Sequence, residues 1–489
     1  MKAKRIILFI LFTHLILGVV WFIYPKQGIH ILGVELRFPN FETKAEEKPG
    51  GRNIDVDSIL HNIERSFIMN CSESLQDSLH YFRNFLKENS SRIHFPEGDY
   101  TFFDPFFQMA EQNRRKGGAV IRVMHYGDSQ IEMDRISSVL RQYFQETFGG
   151  NGVGMIPVIQ RVASTTLSQE ASGSLQRYIV FGDSTTRRAS HNRYGVMAQF
   201  SQLSGNGSLW FRCGRHKSTQ PNARQFSRIS LLVGNAGKNF TAKLGCDTFR
   251  TEVKHFPEGE KVALLRWDLP HPVEKGTLRF NGTAEIYGVM LDGDGGVALD
   301  NDALRGCSGT IFTRLDEELL RQSFALLNTR IIILQFGGNR MPSIKTDKNI
   351  SSYMKQIEQQ IRLFQRVAPQ ASILFIGPSD MGRVVNGRMD TWPKLPELND
   401  SLRMTALRND AAYWDLFSAM GGENSMVNWV KHVPALAGSD YIHFTDRGAR
   451  EVGTILSNSM QSYYNFYQLR KQLPADSVFQ FIHEREVYP

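Results

Sequence analysis

Residues 119–129 read AVIRVMHYGDS, a short apolar run of the strand type that ends in a turn-forming tripeptide. Apolar residues then recur at helical spacing, at Ile136, Val139, Leu140, Tyr143 and Phe144. The pattern predicts a strand, a tight turn and a helix. Ser129 is therefore expected beyond the carboxyl end of a strand, where open α/β sheets place their reactive groups.

The same alternation resumes far downstream. Helical spacing covers residues 315–327, 354–367 and 401–409, and strand-type runs cover residues 331–336, 372–376 and 411–417. Thr445 or Asp446 is expected to cap a final helix. Strands that alternate with helices predict a parallel sheet covered on both faces.

Residues 158–287 have a different texture. Short runs rich in Val, Leu, Phe and Thr alternate with Gly, Asn, Asp and Pro, which is typical of antiparallel strands. We interpret this region as a β-sandwich inserted into the α/β domain. The expected organisation is an N-terminal segment (1–26), a stem with lead-in helices (27–100), the first α/β part (101–157), the insert (158–287) and the second α/β part (288–489).

Ser129 is a candidate nucleophile. A serine hydroxyl needs a base to take its proton and donors to hold the oxyanion, and a turn at a helix start exposes it and supplies an N–H group. Gly127 would tolerate the unusual backbone of such a turn. A second copy of the tripeptide, at Gly182, lies among strand-like runs and is interpreted as a hairpin turn.

His443 and Asp440 are the candidate base and acid. They lie on one segment just before the final helix. A carboxylate three residues before a histidine can accept its Nδ1 proton, which leaves Nε2 facing the serine. Taken alone, His443 is better interpreted as a residue at the helix start with Asp440 as a cap, and the presence of Ser129 in the expected order favours catalysis instead.

Asn339 follows the strand-type run 331–336 and two glycines, so its amide could donate to an oxyanion. Gly306, in the stretch 300–309, could add a backbone N–H. An asparagine that only holds its own loop is the alternative for Asn339.

In this order, Gly-Asp-Ser, Gly, Gly-x-Asn and Asp-x-x-His resemble the SGNH/GDSL hydrolase superfamily over residues 118–157 and 288–465. The resemblance implies a flavodoxin-like three-layer α/β sandwich. It also implies Ser129 as nucleophile, Asp440 and His443 as acid and base, and Gly306 and Asn339 as the oxyanion hole. Gly152, Gly154 and Gly309 stay open as alternatives to Gly306.

Residues 148–157 resemble bacterial members that remove O-acetyl groups from peptidoglycan or other glycans and carry an inserted carbohydrate-binding β-sandwich. Two residues depart from common patterns, Arg340 after Asn339 and Gln130 after Ser129. Arg340 could contact a carboxylate-bearing sugar in a substrate-binding role, or form a surface ion pair.

The N-terminus carries Lys2, Lys4 and Arg5 before an apolar run over residues 6–24. A run of this length fits a membrane anchor, with the basic end in the cytoplasm and the rest exported. A cleaved signal peptide is the alternative, although no small-x-small site follows the run. With the resemblance, this predicts a bacterial periplasmic protein held at the inner membrane, or a secreted one.

The formal charge of +8 is spread along the chain and fits either an anionic partner or ordinary surface charge. Cys213 and Cys246 could form a disulfide, or all four cysteines could be buried thiols. The sequence has no metal-ligand cluster, phosphate loop or nucleic-acid motif, so no cofactor and no nucleic-acid partner are expected.

The predicted activity is hydrolysis of O-acyl, chiefly O-acetyl, esters on envelope glycans. The same residues would serve an O-acetyltransferase that is supplied by a membrane-bound acyltransferase. A non-catalytic glycan-binding envelope protein is the alternative from another class, but it would not need a complete triad.

Overall fold

The computed structural model describes residues 12–13, 29–31, 34–36, 54–60, 75–182, 185–214, 219–246, 252–473, 478–480 and 482. The chain forms two compact units, Met1–Gly51 and Arg52–Pro489. In the first unit, strand β1 (Ile29–Ile31) pairs antiparallel with strand β2 (Val34–Leu36). Every element below belongs to the second unit.

In the described ranges, no helix combines the length and the hydrophobicity needed to cross a bilayer. The apolar segment over residues 6–24 lies outside the described residues, apart from Phe12 and Thr13. Asp183 and Ser184 of the second Gly-Asp-Ser copy also lie outside them.

The second unit contains these α-helices: α1 (Leu75–Glu88), α2 (Asp104–Lys116), α3 (Ser137–Phe148), α4 (Glu317–Leu326), α5 (Asp347–Val367), α6 (Leu395–Arg408), α7 (Leu416–Ala419), α8 (Ser425–Lys431) and α9 (Asp446–Gln472). Its strands are β3 (Ile93–His94), β4 (Val120–Gly127), β5 (Gly154–Ile156), β6 (Leu167–Ile179), β7 (Gln199–Cys213), β8 (Phe226–Gly234), β9 (Thr241–Gly245), β10 (Val253–His255), β11 (Val262–Val273), β12 (Lys275–Asp292), β13 (Gly296–Ala303), β14 (Thr329–Gln335), β15 (Ser372–Ile376), β16 (Gly382–Val385), β17 (Arg388–Thr391) and β18 (Ala412–Trp414).

Six strands form the central sheet in the order β13-β4-β14-β15-β18-β3. The first five strands are parallel, and β3 joins the edge antiparallel to β18. This is the strand order of a flavodoxin-like sheet, whose order reverses at β4. The predicted α/β architecture is therefore confirmed.

Helices cover both faces of this sheet. On β4, Val123 packs into the core beneath α2, α3 and α9, whereas Met124 packs into the core beneath α4, α5 and α6. On β14, Ile333 packs into the same core as Val123, and Ile332 packs into the same core as Met124. Successive side chains of a strand point to opposite faces, so strands buried on both sides read as continuous apolar runs.

An additional antiparallel sheet of eight strands lies between β4 and β13 in the sequence. Its longest strand, β12, pairs with β7 and β9 over its first part and with β8 and β5 over its last part. The side chains of these strands enclose one buried core, which includes Leu209, Leu231, Leu244 and Trp267. The strands predicted for the insert are thus present.

The insert differs from its predicted outline in two respects. Its strands hydrogen-bond as one branched sheet rather than as two separate sheets, because the long β12 is shared by both branches. The sheet also extends from β5 to the end of β12, so β12 crosses the expected boundary at residue 287. The strand continues through that boundary because Gly288–Asp292 still pair with β8.

Cys213 is a buried free thiol, so the disulfide considered for Cys213 and Cys246 is not formed. Burial raises the pKa of the Cys213 thiol to about 12, which leaves it protonated and unreactive at neutral pH. Cys213 therefore packs as a small hydrophobic residue at the end of β7.

Candidate active site

The carboxyl ends of the parallel strands meet at one edge of the central sheet. Gly127 of β4 is in register with Gln335 of β14 and with Ala303 of β13, and Gln335 is in register with Ile376 of β15. Side chains that follow these strands therefore converge on the same edge, as expected for a doubly wound sheet.

Ser129 follows β4 after one intervening residue, Asp128, and begins a short 3-10 helix, Ser129–Asp134. The Asp128 carboxylate accepts the backbone N–H of Gln130 at 2.9 Å and caps this turn. The α-helix predicted to follow the turn begins only at Ser137. The delay arises because Met133 and Asp134 adopt left-handed backbone conformations, with φ of 62° and 65°.

Gly127 is required for a different reason from the one predicted. Its φ lies outside the left-handed region, but a Cβ at this position would lie 2.9 Å from two side-chain carbons of Ile131. The glycine thus lets the turn fold back closely against the end of β4.

Ser129, His443 and Asp440 form a continuous hydrogen-bonded chain. Ser129 Oγ lies 2.8 Å from His443 Nε2, and His443 Nδ1 lies 2.7 Å from Asp440 Oδ2. Asp440 Oδ1 also accepts the backbone N–H groups of Ile442 and His443, each at 3.0 Å. The structure therefore brings the three predicted residues together in the order that a serine, base and acid require.

The pKa of Asp440 is lowered below its ordinary value. Partial burial acts to raise this pKa, but the hydrogen bonds from the His443 ring and from the two backbone N–H groups outweigh it. Asp440 thus stays ionised at neutral pH, and its Oδ2 is placed to accept a proton from His443 Nδ1, which orients Nε2 toward Ser129.

The segment that carries His443 is closed on itself. The Gly438 N–H donates to the His443 carbonyl oxygen at 2.8 Å, and the Thr445 side chain caps α9 by accepting the Gly448 N–H at 3.2 Å. Tyr441, between the acid and the base, has a φ of 56°. These contacts define a tight loop, which fixes the His443 ring relative to α9.

Two side chains join the serine turn to the histidine loop. Gln130 Nε2 donates to the Ile442 carbonyl oxygen at 2.7 Å and to Ser379 Oγ at 3.2 Å. Arg135 donates to the carbonyl oxygens of Ser129, at 3.2 Å, and Phe444, at 2.8 Å. In the sequence, Gln130 stands out only as a departure from the family pattern and Arg135 does not stand out at all, because no local pattern shows which distant carbonyl a side chain will meet.

A cleft of about 600 Å³ opens above these groups, and it is lined by Ser129, His443, Gly306 and Asn339 among others. Asn339 Nδ2 donates to Asp128 Oδ2 at 2.9 Å and to the Cys307 carbonyl oxygen at 3.3 Å. The Asn339 amide is therefore held at the cleft by two acceptors. Gly306 lines the same cleft, shortly after β13 ends at Ala303.

The four glycines considered for the oxyanion hole differ in how much space surrounds them. A Cβ would lie 2.1 Å from the Leu291 carbonyl oxygen at Gly152, 2.5 Å from an Asp300 oxygen at Gly154, and 2.6 Å from the Phe336 ring at Gly309. At Gly306 a Cβ would meet nothing within 4 Å, although its φ of 78° favours glycine. Of these four residues, only Gly306 lines the cleft.

Burial raises the pKa of Asp128 to about 6, although the hydrogen bonds from Gln130 N–H and Asn339 oppose the rise. At neutral pH the carboxylate is thus ionised and accepts both bonds.

The structure does not bring Arg340 to the cleft. Its guanidinium carbon lies 5.7 Å from the centroid of the Tyr353 ring, and Arg340 is absent from the cleft lining. The cations of the cleft are instead Arg135 and Arg305. Arg305 is the residue before Gly306, and its Nε donates to a carboxylate oxygen of Glu132 at 2.7 Å. Its side chain is nevertheless 67% exposed, so it can reach a ligand.

His125, on β4, is buried within the sheet and lies 3.0 Å from Gln335 Oε1 and 2.9 Å from Ser137 Oγ. Burial lowers the pKa of His125 to about 4, so the ring is neutral. These contacts give His125 a structural role within the sheet.

Residues 275–451 match the family described as GDSL-like lipase/acylhydrolase. This chain carries a GDSL-type acylhydrolase domain. The domain belongs among the carboxylic ester hydrolases, and the matched region includes Gly306, Asn339, Asp440 and His443, whereas Ser129 precedes it.

One solved structure shares the fold over most of the chain. A peptidoglycan O-acetylesterase superposes with a TM-score of 0.59 at 18% sequence identity, over 74% of this chain and 96% of that chain. An acetyl xylan esterase gives a TM-score of 0.26 at 16% identity, over 34% of this chain and 80% of that chain. No curated protein matches the sequence. The first superposition shows a shared fold.

Proposed function

We propose that this hydrolase removes O-acetyl groups from cell-envelope glycans, with Ser129 as nucleophile, His443 as general base and acid, and Asp440 as the residue that orients His443. The observation that carries the proposal is the hydrogen-bonded chain from Ser129 Oγ through the His443 ring to Asp440. A base within hydrogen-bond reach of a hydroxyl, and itself oriented by a carboxylate, is the arrangement that activates a serine.

In the proposed reaction, Ser129 Oγ attacks the ester carbonyl while His443 Nε2 takes its proton. The tetrahedral intermediate collapses to an acetyl-serine, and His443 returns the proton to the departing sugar hydroxyl. Water, activated by the same imidazole, then releases acetate. Asp440 stabilises the imidazolium that forms in both steps.

The oxyanion is held by the backbone N–H groups of Ser129 and Gly306 and by the Asn339 N–H that leaves its longer bond, 3.3 Å to the Cys307 carbonyl oxygen, when substrate binds. All three residues line the cleft, and Asn339 is fixed by its bond to Asp128. Donors placed in advance around the developing charge cost no reorganisation during the reaction, which is why such sites accelerate acyl transfer.

A glycan ester is supported by the shape and charge of the cleft. It is open and broad enough for a sugar unit, and Arg305 stands exposed at its wall beside Gly306. We therefore assign contact with acidic sugars to Arg305 rather than to Arg340. The similar solved structure is itself a peptidoglycan O-acetylesterase, which agrees with this substrate class.

A fluorophosphonate probe and an acetate-release assay test the proposal together. The wild-type protein is expected to be labelled and to release acetate from an O-acetylated glycan, whereas a Ser129→Ala variant does neither. Labelling that persists in the alanine variant would contradict the assignment of Ser129. Acetate release that requires an added acceptor sugar would instead indicate a transferase.

We further propose that the enzyme acts in the bacterial envelope, exported or held at the inner membrane by residues 6–24. The basic residues Lys2, Lys4 and Arg5 before an apolar run support this placement. Fractionation of cells that express the full chain, compared with a variant lacking residues 1–26, tests it. Recovery of the full chain in the cytoplasmic fraction would contradict it.

A further inference from the structure

A second, smaller cavity of about 120 Å³ adjoins the catalytic cleft, and Glu132 and Met133 line both. It lies where the central sheet meets the antiparallel insert. Asp302 of β13, Arg177 of β6 and Gln199 of β7 all line it. The insert thus contributes side chains to a cavity that shares lining residues with the catalytic cleft.

Asp302 lines this cavity, and one oxygen of its carboxyl group lacks a hydrogen-bond partner in the part of the chain that the structure describes. The side chain is buried, with 2% relative exposure, and its Oδ2 has no hydrogen-bond partner among the described residues. Buried polar atoms in folded proteins are nearly always hydrogen-bonded to protein, water or a ligand. An unsatisfied carboxyl that lines a cavity is therefore the mark of a site that receives a polar molecule.

The cavity also holds two cations that form no ion pair in the described part of the chain. Arg177 uses its Nε to bond Gln199 Oε1 at 2.6 Å, and Arg161 is exposed at the rim. Two of the acidic lining residues are engaged in ion pairs, Glu132 with Arg305 and Asp134 with Arg141, whereas Asp302 forms none within the described ranges. Arg161 and Arg177 are therefore the lining cations that remain available to an anionic ligand.

We propose that this cavity is a subsite for a carboxylate-bearing sugar unit adjacent to the acetylated one, with Arg161 and Arg177 on the carboxylate and Asp302 on a sugar hydroxyl. The inference rests on the proposed glycan substrate. A planar guanidinium matches a carboxylate in geometry and charge. The shared residues Glu132 and Met133 place the two sugar units side by side.

The protonation of Asp302 fits this role. Burial raises the pKa of Asp302 well above its ordinary value, and the nearby Asp300 charge adds to the rise. A neutral carboxyl can both donate to and accept from a hydroxyl.

Equilibrium binding tests the subsite without relying on turnover. A de-acetylated acidic oligosaccharide from peptidoglycan, and its carboxyl-reduced counterpart, are titrated into Ser129→Ala protein. In that background, Arg177→Gln and Arg161→Gln are each expected to weaken binding of the acidic oligosaccharide about tenfold, as loss of a charge-assisted hydrogen bond predicts. They should leave the reduced oligosaccharide nearly unaffected. Arg279→Gln, on the exposed surface of β12, is the matched control and should change neither.

Asp302 supplies a second, independent variant. Asp302→Ala removes an unsatisfied buried group, so it is expected to fold with an undiminished melting temperature and to weaken binding of both oligosaccharides. Equal affinities for acidic and reduced oligosaccharides in wild-type and arginine variants would overturn the inference. If the affinities were equal while the chain with Ser129 still hydrolysed p-nitrophenyl acetate and was still labelled by the fluorophosphonate, only the proposed subsite would be rejected. Loss of both reactions in the otherwise wild-type chain would instead overturn the proposed esterase.

Discussion

Gln130 Nε2 donates a 2.7 Å hydrogen bond to the carbonyl oxygen of Ile442, and this bond ties the residue after the proposed nucleophile to the residue before the proposed base. The two residues are 312 positions apart in the chain. The serine turn and the histidine loop are far apart in the chain, so no short stretch of backbone fixes the distance between them. This hydrogen bond therefore sets that distance.

Gln130→Leu should lower kcat by about 10- to 100-fold with a small change in KM. Leucine has similar size but cannot hold the histidine loop, and displacements of about 1 Å in an active site cost rates of this order. Steady-state kinetics on an acetylated glycan would measure the effect. Gln322→Leu, on the surface of α4, is the control, and an unchanged kcat in Gln130→Leu would show that Arg135 alone positions the loop.

Asp440→Asn should reduce kcat by roughly 10³- to 10⁴-fold while the protein stays folded. The amide oxygen is expected to keep the two backbone N–H groups, so the NH2 group faces Nδ1 and donates to it. The ring then adopts the tautomer whose Nε2 carries a proton and cannot take one from Ser129. The matched control is Asp410→Asn, in the turn at the amino end of β18. A loss of less than tenfold would indicate that another group orients His443.

Asn339→Ala should lower kcat by about 10²- to 10³-fold, because it removes a donor to the oxyanion. The change also leaves Asp128 without one of its two hydrogen-bond donors. Kinetics on both glycan and p-nitrophenyl acetate would check that the loss is shared by all esters. A loss confined to KM would assign Asn339 to substrate binding instead.

Gly306→Ala should fold but lose activity, whereas Gly154→Ala should be destabilised. At Gly306 there is room for a methyl group, but its φ of 78° is strained for alanine, so the backbone N–H that we assign to the oxyanion hole is displaced. At Gly154 the methyl group would overlap Asp300 and the Leu299 carbonyl oxygen. Thermal unfolding and kcat, measured for both variants, separate the two effects, and full activity of Gly306→Ala would remove it from the oxyanion hole.

The stability that Asp128 contributes should fall as pH rises from about 4 to about 6. Its pKa is raised to about 6 in the folded protein, above the ordinary carboxyl value, so the folded state binds the proton more tightly than the unfolded state does. Relative to Asp128→Asn, the free energy of unfolding of the wild type should therefore decrease across this window, by on the order of 3 kcal/mol. Urea unfolding at pH 4, 5, 6 and 7 would measure the difference, and a difference that grows with pH would contradict the raised pKa.

Local patterns predicted the elements of the fold well, with errors at their ends. The run at 372–376 matches β15 residue for residue, because a buried parallel strand reads as unbroken hydrophobicity. Helix α5 begins at Asp347, seven residues before the predicted start at residue 354, because Thr346 and Asn349 form a capping box there that apolar spacing does not reveal. The predicted strand at 411–417 shrinks to Ala412–Trp414, since α7 begins at Leu416.

The sequence by itself determined the alternation of strands and helices, the turn that carries Ser129, and the pairing of Asp440 with His443, because each depends on residues close together in the chain. Only the tertiary structure decided that Ser129 meets His443 across 314 positions, that Gly306 faces the cleft, and that Arg135 and Arg305 stand there instead of Arg340. The physical reason is the distance along the chain over which each kind of interaction acts. Periodicity and turn chemistry act over a few residues, whereas the position of a side chain in a cleft depends on how whole strands and loops pack together.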